Sequence, residues 1–285
     1  MKTIHVNKKN LKTDLLLGEF ASSSDCKTQI KEDCEVLIDG EVSLIYFSDI
    51  SQELKEFGTL KKKLRQFDKW VTACRGSSRK ALKSTSKIFG YQPRSGLRNR
   101  PCSVASLAYD DPELSSLLNG MALDVSGFYM NACSERFGHH FKLVDEKIPE
   151  QYTIKNTPFT SGIVNKSGRL PYHFDAGNIK GCWSAMLGIS DGISGGDLCI
   201  PEIDCRLKIS DGSLCLFNGQ GLIHGVSKFN RVDPNAERYT IVWYSLQQLW
   251  KCLTREEEIK RINESQKKSI KKKAQNAKGL QTGDK

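Results

Sequence analysis

Apolar and polar residues alternate through the run CEVLIDGEVSLIYF, from Cys34 to Phe47, and an Asp-Gly pair at its centre suits a tight turn. A β-hairpin is therefore expected within residues 1–48. From Asp49 to Phe67 the period changes, because Leu54, Phe57, Leu60, Leu64 and Phe67 recur at the three- and four-residue spacing of an amphipathic helix. A second helical pattern, Leu114, Leu117, Leu118, Met121 and Val125, lies between Pro112 and Phe137. A short helix is also predicted near Arg79–Ile88, followed by an irregular loop through GYQPRSGLRNRPC. Beyond Ile154 the texture becomes that of short strands: TPFTSGIV, GCWSAMLGI, GDLCIPEI, CRLKI, GSLCLFNG, LIHGVSKF and RYTIVWYSL follow one another, broken by Gly and Asp. Such a series indicates an all-β barrel or a two-sheet jelly roll. After Thr254 the run TREEEIKRI places acidic residues before basic ones, the order that suits a helix dipole, and the chain's end is expected to be disordered.

The fold class expected is α+β dominated by β. Residues 1–48 are expected to form a β-containing extension, 49–150 a helical and basic, DNA-contacting segment packed on the core, 151–250 a double-stranded β-helix (jelly-roll) core, and 251–285 a basic helical or disordered tail. No run approaches the roughly 18 apolar residues of a membrane helix, and the start MKTIHVNKKNLK lacks the apolar stretch of a signal peptide. The ten cysteines include no C-x-x-C pair, so no zinc knuckle or dithiol redox motif is indicated. Cys182, Cys199 and Cys215 sit among apolar residues of expected strands, where free thiols act as small hydrophobes. A reducing compartment is expected: cytoplasmic in a prokaryotic or phage-infected cell, nuclear in a eukaryote, and not secreted.

The formal net charge of +10 is concentrated rather than spread. Nine basic residues and no acidic one lie between Lys69 and Tyr109, and ten basic against five acidic lie from Leu253 onward. A stretch of cations with nothing to offset their repulsion is the footprint of a polyanion partner. Arg75, Arg79, Lys80, Lys83, Arg94, Arg98 and Arg100 are the candidate phosphate contacts, with Trp70, Phe89 and Tyr91 nearby for stacking. A lysine-rich tail taken alone reads rather as a solvated surface.

The candidate chemistry sits in RLPYHFDAGN, residues 169–178. In a strand, side chains at i and i+2 share a face, so His173 and Asp175 point together. Only five histidines exist, and His224, in GLIHGV before the later strands, is the candidate third ligand. Two histidines and a carboxylate form the facial triad of non-haem iron(II) oxygenases. Iron of this kind commonly works with 2-oxoglutarate and O2, and the co-substrate's far carboxylate needs a buried cation of fork geometry. Arg238 opens the strand RYTIVWYSL and Thr240 shares its face; Arg231 is the alternative, within an apparent loop.

The residues VNKSGRLPYHFDAGNIKGCWSAMLGISDGISGGDLCIPEI…LKISDGSLCLFNGQGLIHGV resemble the TET/JBP family of Fe(II)/2-oxoglutarate-dependent nucleic-acid base dioxygenases. The resemblance covers approximately residues 90–246 and is strongest at HFDAGN, GGDLCIP and HGV; SGLRNRPCSVAS is similar to the family's basic segment. It implies Fe(II) on His173, Asp175 and His224, 2-oxoglutarate on Arg238, and Asn178 and Asn165 at the target base. It also implies a DNA partner whose 5-methylpyrimidine is flipped from the stack. The expected product is the 5-hydroxymethyl form of 5-methylcytosine or thymine, and a monomeric, compact member, such as those found in phages and lower eukaryotes, is expected. Two other classes stay open: a prolyl- or lysyl-type protein hydroxylase on the same barrel, and a non-catalytic nucleic-acid-binding module.

Overall fold

In the computed structural model, residues 1–75, 82–94 and 100–281 are described. The first half contributes β1 (Lys2–Val6), α1 (Thr13–Leu16), β2 (Thr28–Ile30), β3 (Cys34–Ile38), β4 (Glu41–Phe47), α2 (Phe57–Gln66), β5 (Val71–Arg75), β6 (Leu82–Gln92), β7 (Ser103–Val104), α3 (Leu107–Asp110), α4 (Pro112–Ala132) and α5 (Ser134–Lys147). The second half contributes β8 (Ser161–Lys166), β9 (Ser184–Ser190), β10 (Ile193–Gly195), β11 (Leu198–Ile200), β12 (Cys205–Leu207), β13 (Leu214–Phe217), β14 (Gly225–Val226), β15 (Phe229–Arg231), β16 (Arg238–Tyr244) and α6 (Arg255–Gln281).

The strands form two facing layers rather than a closed barrel. The larger sheet runs β1-β3-β4-β13-β9-β16-β8-β6-β5, with β7 on β6; the smaller runs β14-β11-β12-β2, and β10 and β15 make a separate ribbon. Val36, Leu44, Met186, Cys215 and Phe217 of the large sheet pack against Ile30, Leu198, Ile200 and Leu207 of the small one. The large sheet's other face carries Leu187, Leu216, Ile241 and Trp243, which bury against Leu60 and Leu64 of α2 and Leu118, Met121 and Val125 of α4. A sheet covered on both faces needs strands that are apolar on both, and β16 is buried at five of its seven positions.

Local chemistry accounts for the elements. Asp39 and Gly40 have φ of 52° and 89°, so both corners of the β3–β4 hairpin take the left-handed conformation an Asp-Gly turn favours. Pro112 opens α4, and the Asp111 carboxylate accepts from the Leu114 N–H at 2.9 Å, satisfying one of the free amides of the first turn. The segment 1–48 extends both layers: β3 and β4 continue the large sheet beside β13, and β2 pairs in parallel with β12.

One expectation needs correction. Of the helix anticipated at Arg79–Ile88, residues 79–81 lie outside the described residues, and Leu82–Ile88 belong instead to the strand β6, paired antiparallel with β5 and β8. Lys87 on β6 is buried and ion-paired with Asp110 and donates to the Lys69 carbonyl at 3.2 Å, which inverts the polarity pattern. Cys102 and Cys252 are joined as a disulfide, Cα atoms 5.9 Å apart, while Cys182, Cys199 and Cys215 are the free thiols expected. The tail is helical through Gln281, and the expected disorder of the chain's end falls on residues 282–285, outside the described residues.

Candidate metal centre and co-substrate pocket

An isolated antiparallel bridge joins His173 to His224: each backbone N–H donates to the other's carbonyl, at 2.9 and 3.1 Å. This sets the imidazoles side by side, ring centroids 4.3 Å apart. Asp175 projects on the same side, with its Oδ1 3.8 Å from His173 Nε2 and 3.9 Å from His224 Nε2. One donor atom from each of the three lies within 4.8 Å of the others, a spacing that can receive a single ion.

The ring orientation is fixed from behind. His173 Nδ1 lies 2.8 Å from the Pro171 carbonyl, and His224 Nδ1 lies 2.9 Å from that of Leu222. A neutral imidazole that donates through Nδ1 keeps a lone pair on Nε2, the atom facing Asp175. Burial, with the neighbouring His173, pushes His224 down to about 4, so it stays neutral and available at physiological pH. Asp175 is steadied on its other oxygen: Oδ2 accepts from Ser184 Oγ and Asn178 Nδ2, each at 3.5 Å, which leaves Oδ1 toward the histidines.

The triad opens into a cavity of about 430 Å³. Arg238, Thr240, Val242 and Tyr244 of β16 face it, while the intervening Tyr239, Ile241 and Trp243 face the helices, as a two-residue period requires. Arg238 is 1% exposed; its Nη2 donates to the Gly196 carbonyl at 3.0 Å and its Nε has no partner. Burial lowers it to about 10, with Asp197 opposing the shift, so it remains a cation at neutral pH. A buried guanidinium that lines a cavity and keeps an N–H without a partner calls for an anion. Gly195 and Gly196 have φ of 81° and 78°, and a Cβ at Gly196 would sit 3.0 Å from Arg238 Nε, so this Gly-Gly both turns the chain and leaves room for the arginine.

Among known proteins, no family model matches the chain. Over 105 residues it is 28% identical to the "Bifunctional helicase and thymine dioxygenase JBP2" of Trypanosoma cruzi (strain CL Brener), a match covering 37% of this chain and 10% of that protein. Among solved structures, a 2OG-Fe(II) oxygenase family oxidoreductase from Burkholderia pseudomallei gives a TM-score of 0.43 at 12% identity, over 86% of this chain and 95% of that one. NgTET1 in complex with 5mC DNA gives a TM-score of 0.58 at 15% identity, over 83% of this chain and 86% of that one. The fold is therefore shared with NgTET1, and part of the sequence is similar to JBP2.

Within this NgTET1-like fold the other expected residues fall into two groups. Asn165 and Thr240 are register partners on β8 and β16, with Asn165 Nδ2 3.4 Å from Thr240 Oγ1, and the Asn165 amide oxygen has no partner. Asn178 is buried with its Nδ2 3.0 Å from Ser184 Oγ, so its amide braces Asp175 as well as lining the cavity. The basic segment is more dispersed. Arg79, Lys80 and Arg98 lie outside the described residues; Arg75 and Lys83 are backbone partners of the β5–β6 hairpin pair as Arg75↔Leu82 and Cys74↔Lys83; Arg100 is exposed. Arg94 is spoken for, donating through Nε to Glu258 at 2.6 Å. Phe89 is fully buried and cannot stack on a base, whereas Trp70 is half-buried against Phe67 and Tyr239.

Two residues escaped sequence reasoning. A Cβ on Gly219 would lie 2.2 Å from Asp175 Oδ2, so only glycine fits beside the carboxylate. Glu202, buried, accepts from the Ile223 N–H at 2.7 Å and pairs with Lys8 at 3.1 Å, tying down the residue before His224. The glycine-rich FNGQG was a visible signal for the first; CIPEI offered none for the second.

Proposed function

We propose that the chain is an Fe(II)/2-oxoglutarate-dependent dioxygenase that hydroxylates the 5-methyl group of 5-methylcytosine, or of thymine, in DNA. The observation that carries the reading is the aim of two Nε2 lone pairs and one carboxylate oxygen into a cavity that also holds an anion-seeking buried arginine. The donor set, two imidazole Nε2 atoms and a carboxylate, fits iron(II) and leaves positions open. Iron(II) bound with 2-oxoglutarate and O2 supplies the oxidising power for C–H hydroxylation, the co-substrate leaving as succinate and carbon dioxide. The chain's own part is placement. His173, Asp175 and His224 hold the metal, Arg238 with Thr240 takes the distal carboxylate, and the apolar walls Ile163, Leu198 and Val226 exclude water. Asn165 and Asn178 offer amides to the base edge, and amides can serve as donor or acceptor.

A base within a duplex cannot reach a cavity of this kind, so the target must be extruded and the backbone gripped. The basic residues of the 69–109 segment, Arg100 among those exposed, support that requirement, as does the relative described as a thymine dioxygenase. Incubating purified protein with Fe(II), 2-oxoglutarate and duplex carrying 5-methylcytosine or thymine, then digesting to nucleosides, should reveal a gain of one oxygen by mass. His173→Ala should abolish it. Hydroxylation of prolyl or lysyl peptides with none on either duplex would favour the protein-hydroxylase alternative; absence of any succinate formation would favour the idle binding module.

A further inference from the structure

The C-terminal helix plays no part in the site, yet the structure ties it firmly to the elements around the pocket mouth. Leu246 lines the cavity and packs in the same cluster as Ile179, Cys182 and Leu249; six residues later Cys252 is bridged to Cys102. At the helix's first turns the buried Glu258 carboxylate accepts from Arg94 Nε at 2.6 Å, from Arg261 at 3.2 Å and from the Leu253 N–H at 3.1 Å. The root of α6 is thus clamped to the basic segment that precedes β7.

Beyond that clamp the helix stands clear. From Asn263 to Lys271 every residue is exposed, Ile270 included. With 27 residues, α6 extends about 40 Å. Between Ser265 and Leu280 the sequence holds six lysines and no carboxylate. Lys267 and Lys271 are four apart and Lys268 and Lys271 three apart, so like charges meet on one helix face and repel. A helical stretch of unbalanced charge whose residues 263–271 are all exposed is stabilised by a polyanion laid along it.

We infer that α6 is a second nucleic-acid contact: a basic arm, anchored by Glu258 and Cys252 beside the pocket mouth, that grips duplex phosphates away from the reacting base. The inference rests on the DNA reading of the site. Two other occupants fit worse. Ile259, Ile262 and Ile270 do not repeat as a heptad, and two such arms would set lysine against lysine, so a second copy gains no seam. An anionic membrane needs a continuous apolar face, which these three isoleucines do not make.

The test uses the full-length chain with Lys267→Gln, Lys268→Gln and Lys271→Gln combined, substitutions of exposed side chains outside the site. Fluorescence anisotropy is read on duplexes of about 10 and about 30 base pairs, each with a central 5-methylcytosine, across a salt series. At about 0.1 M salt the variant is expected to bind the long duplex at least ~10-fold more weakly, with a log–log salt slope shallower by about 2 to 3. Affinity for the short duplex and turnover on it should be unchanged. Equal affinity and slope on the long duplex would overturn the arm. So would an equal loss on both lengths, or loss confined to phosphatidylserine vesicles. A full-length chain that binds long duplex through these lysines yet oxidises no base would sink the site reading and leave the arm standing.

Discussion

Replacing Gly219 by alanine tests whether the metal centre depends on a close backbone approach. The new Cβ would lie 2.2 Å from Asp175 Oδ2 and 3.0 Å from its Cγ. An ordinary carbon–oxygen contact is about 3.3 Å, so the carboxylate must retreat by roughly 1 Å. Coordination tolerates only about 0.2 Å. The chain itself should absorb the change: Gly219 is not among the glycines with positive φ, and the atom displaced is the end of a partly exposed side chain. The expected result is a weakening of Fe(II) affinity on the order of 10- to 100-fold, the scale seen when groups supporting a ligand are lost. The melting temperature of the metal-free protein should stay within a few degrees of the parent. Anaerobic titration with Fe(II), or with Co(II) as a spectroscopic substitute, measures the first, and thermal denaturation in chelator the second. Parental metal affinity in the variant would refute the argument that Asp175 Oδ1 is a ligand held by its neighbours.

Other perturbations separate the remaining parts. Arg238→Lys keeps the charge but loses the planar fork, and should raise the KM for 2-oxoglutarate at least ~10-fold while leaving Fe(II) affinity unchanged; isothermal titration of each ligand decides it. Gly162→Ala would place a Cβ 2.0 Å from Phe89 Cζ, a buried ring with no free space, so unfolding in urea should show a loss of about 1–3 kcal/mol or more. His140 is fully buried with its Nε2 2.9 Å from Ser245 Oγ, and burial, with His139 adding, pushes it down to about 3. Its stabilising neutral form is thus retained above the unfolded value near 6.5 and lost as pH falls toward 3, at up to about 1.4 kcal/mol per pH unit. His140→Phe should flatten that part of the acid dependence, compared by denaturation between pH 7 and 5.

The sequence disclosed the parts whose chemistry is local. The Asp39–Gly40 turn, the short strands after Ile154 and the helix starting at Pro112 each follow from residue type and period. The three candidate ligands were legible because histidines are few and the i, i+2 rule places His173 and Asp175 together. What stayed hidden depended on partners distant in the chain. Lys87 points inward because Asp110 receives it, so β6 reads as a helix from its own residues. Arg94 looked like a phosphate contact until Glu258, 164 residues away, was seen to hold it. Gly219 is one glycine among many until Asp175 is placed against it.

Glu202 shows how far the site's support reaches into the chain. Its carboxylate accepts the Ile223 N–H at 2.7 Å on one side and pairs with Lys8 at 3.1 Å on the other; Lys8 also donates to the Gly221 carbonyl at 3.2 Å. Lys8 follows β1, so a residue at the start of the chain stiffens the loop that delivers His224. Glu202→Ala leaves a buried N–H unpaired next to a metal ligand, which should cost about 1–3 kcal/mol of stability and weaken Fe(II) binding as well. Glu202→Gln keeps an oxygen for the Ile223 N–H but turns an N–H toward Lys8, so it should recover most of the metal affinity and less of the stability. Lys8→Met should lower stability modestly and leave metal affinity near the parent. If Glu202→Ala and Glu202→Gln weaken metal binding equally, the hydrogen bond to Ile223 is not what positions His224, and the charge at 202 must act instead.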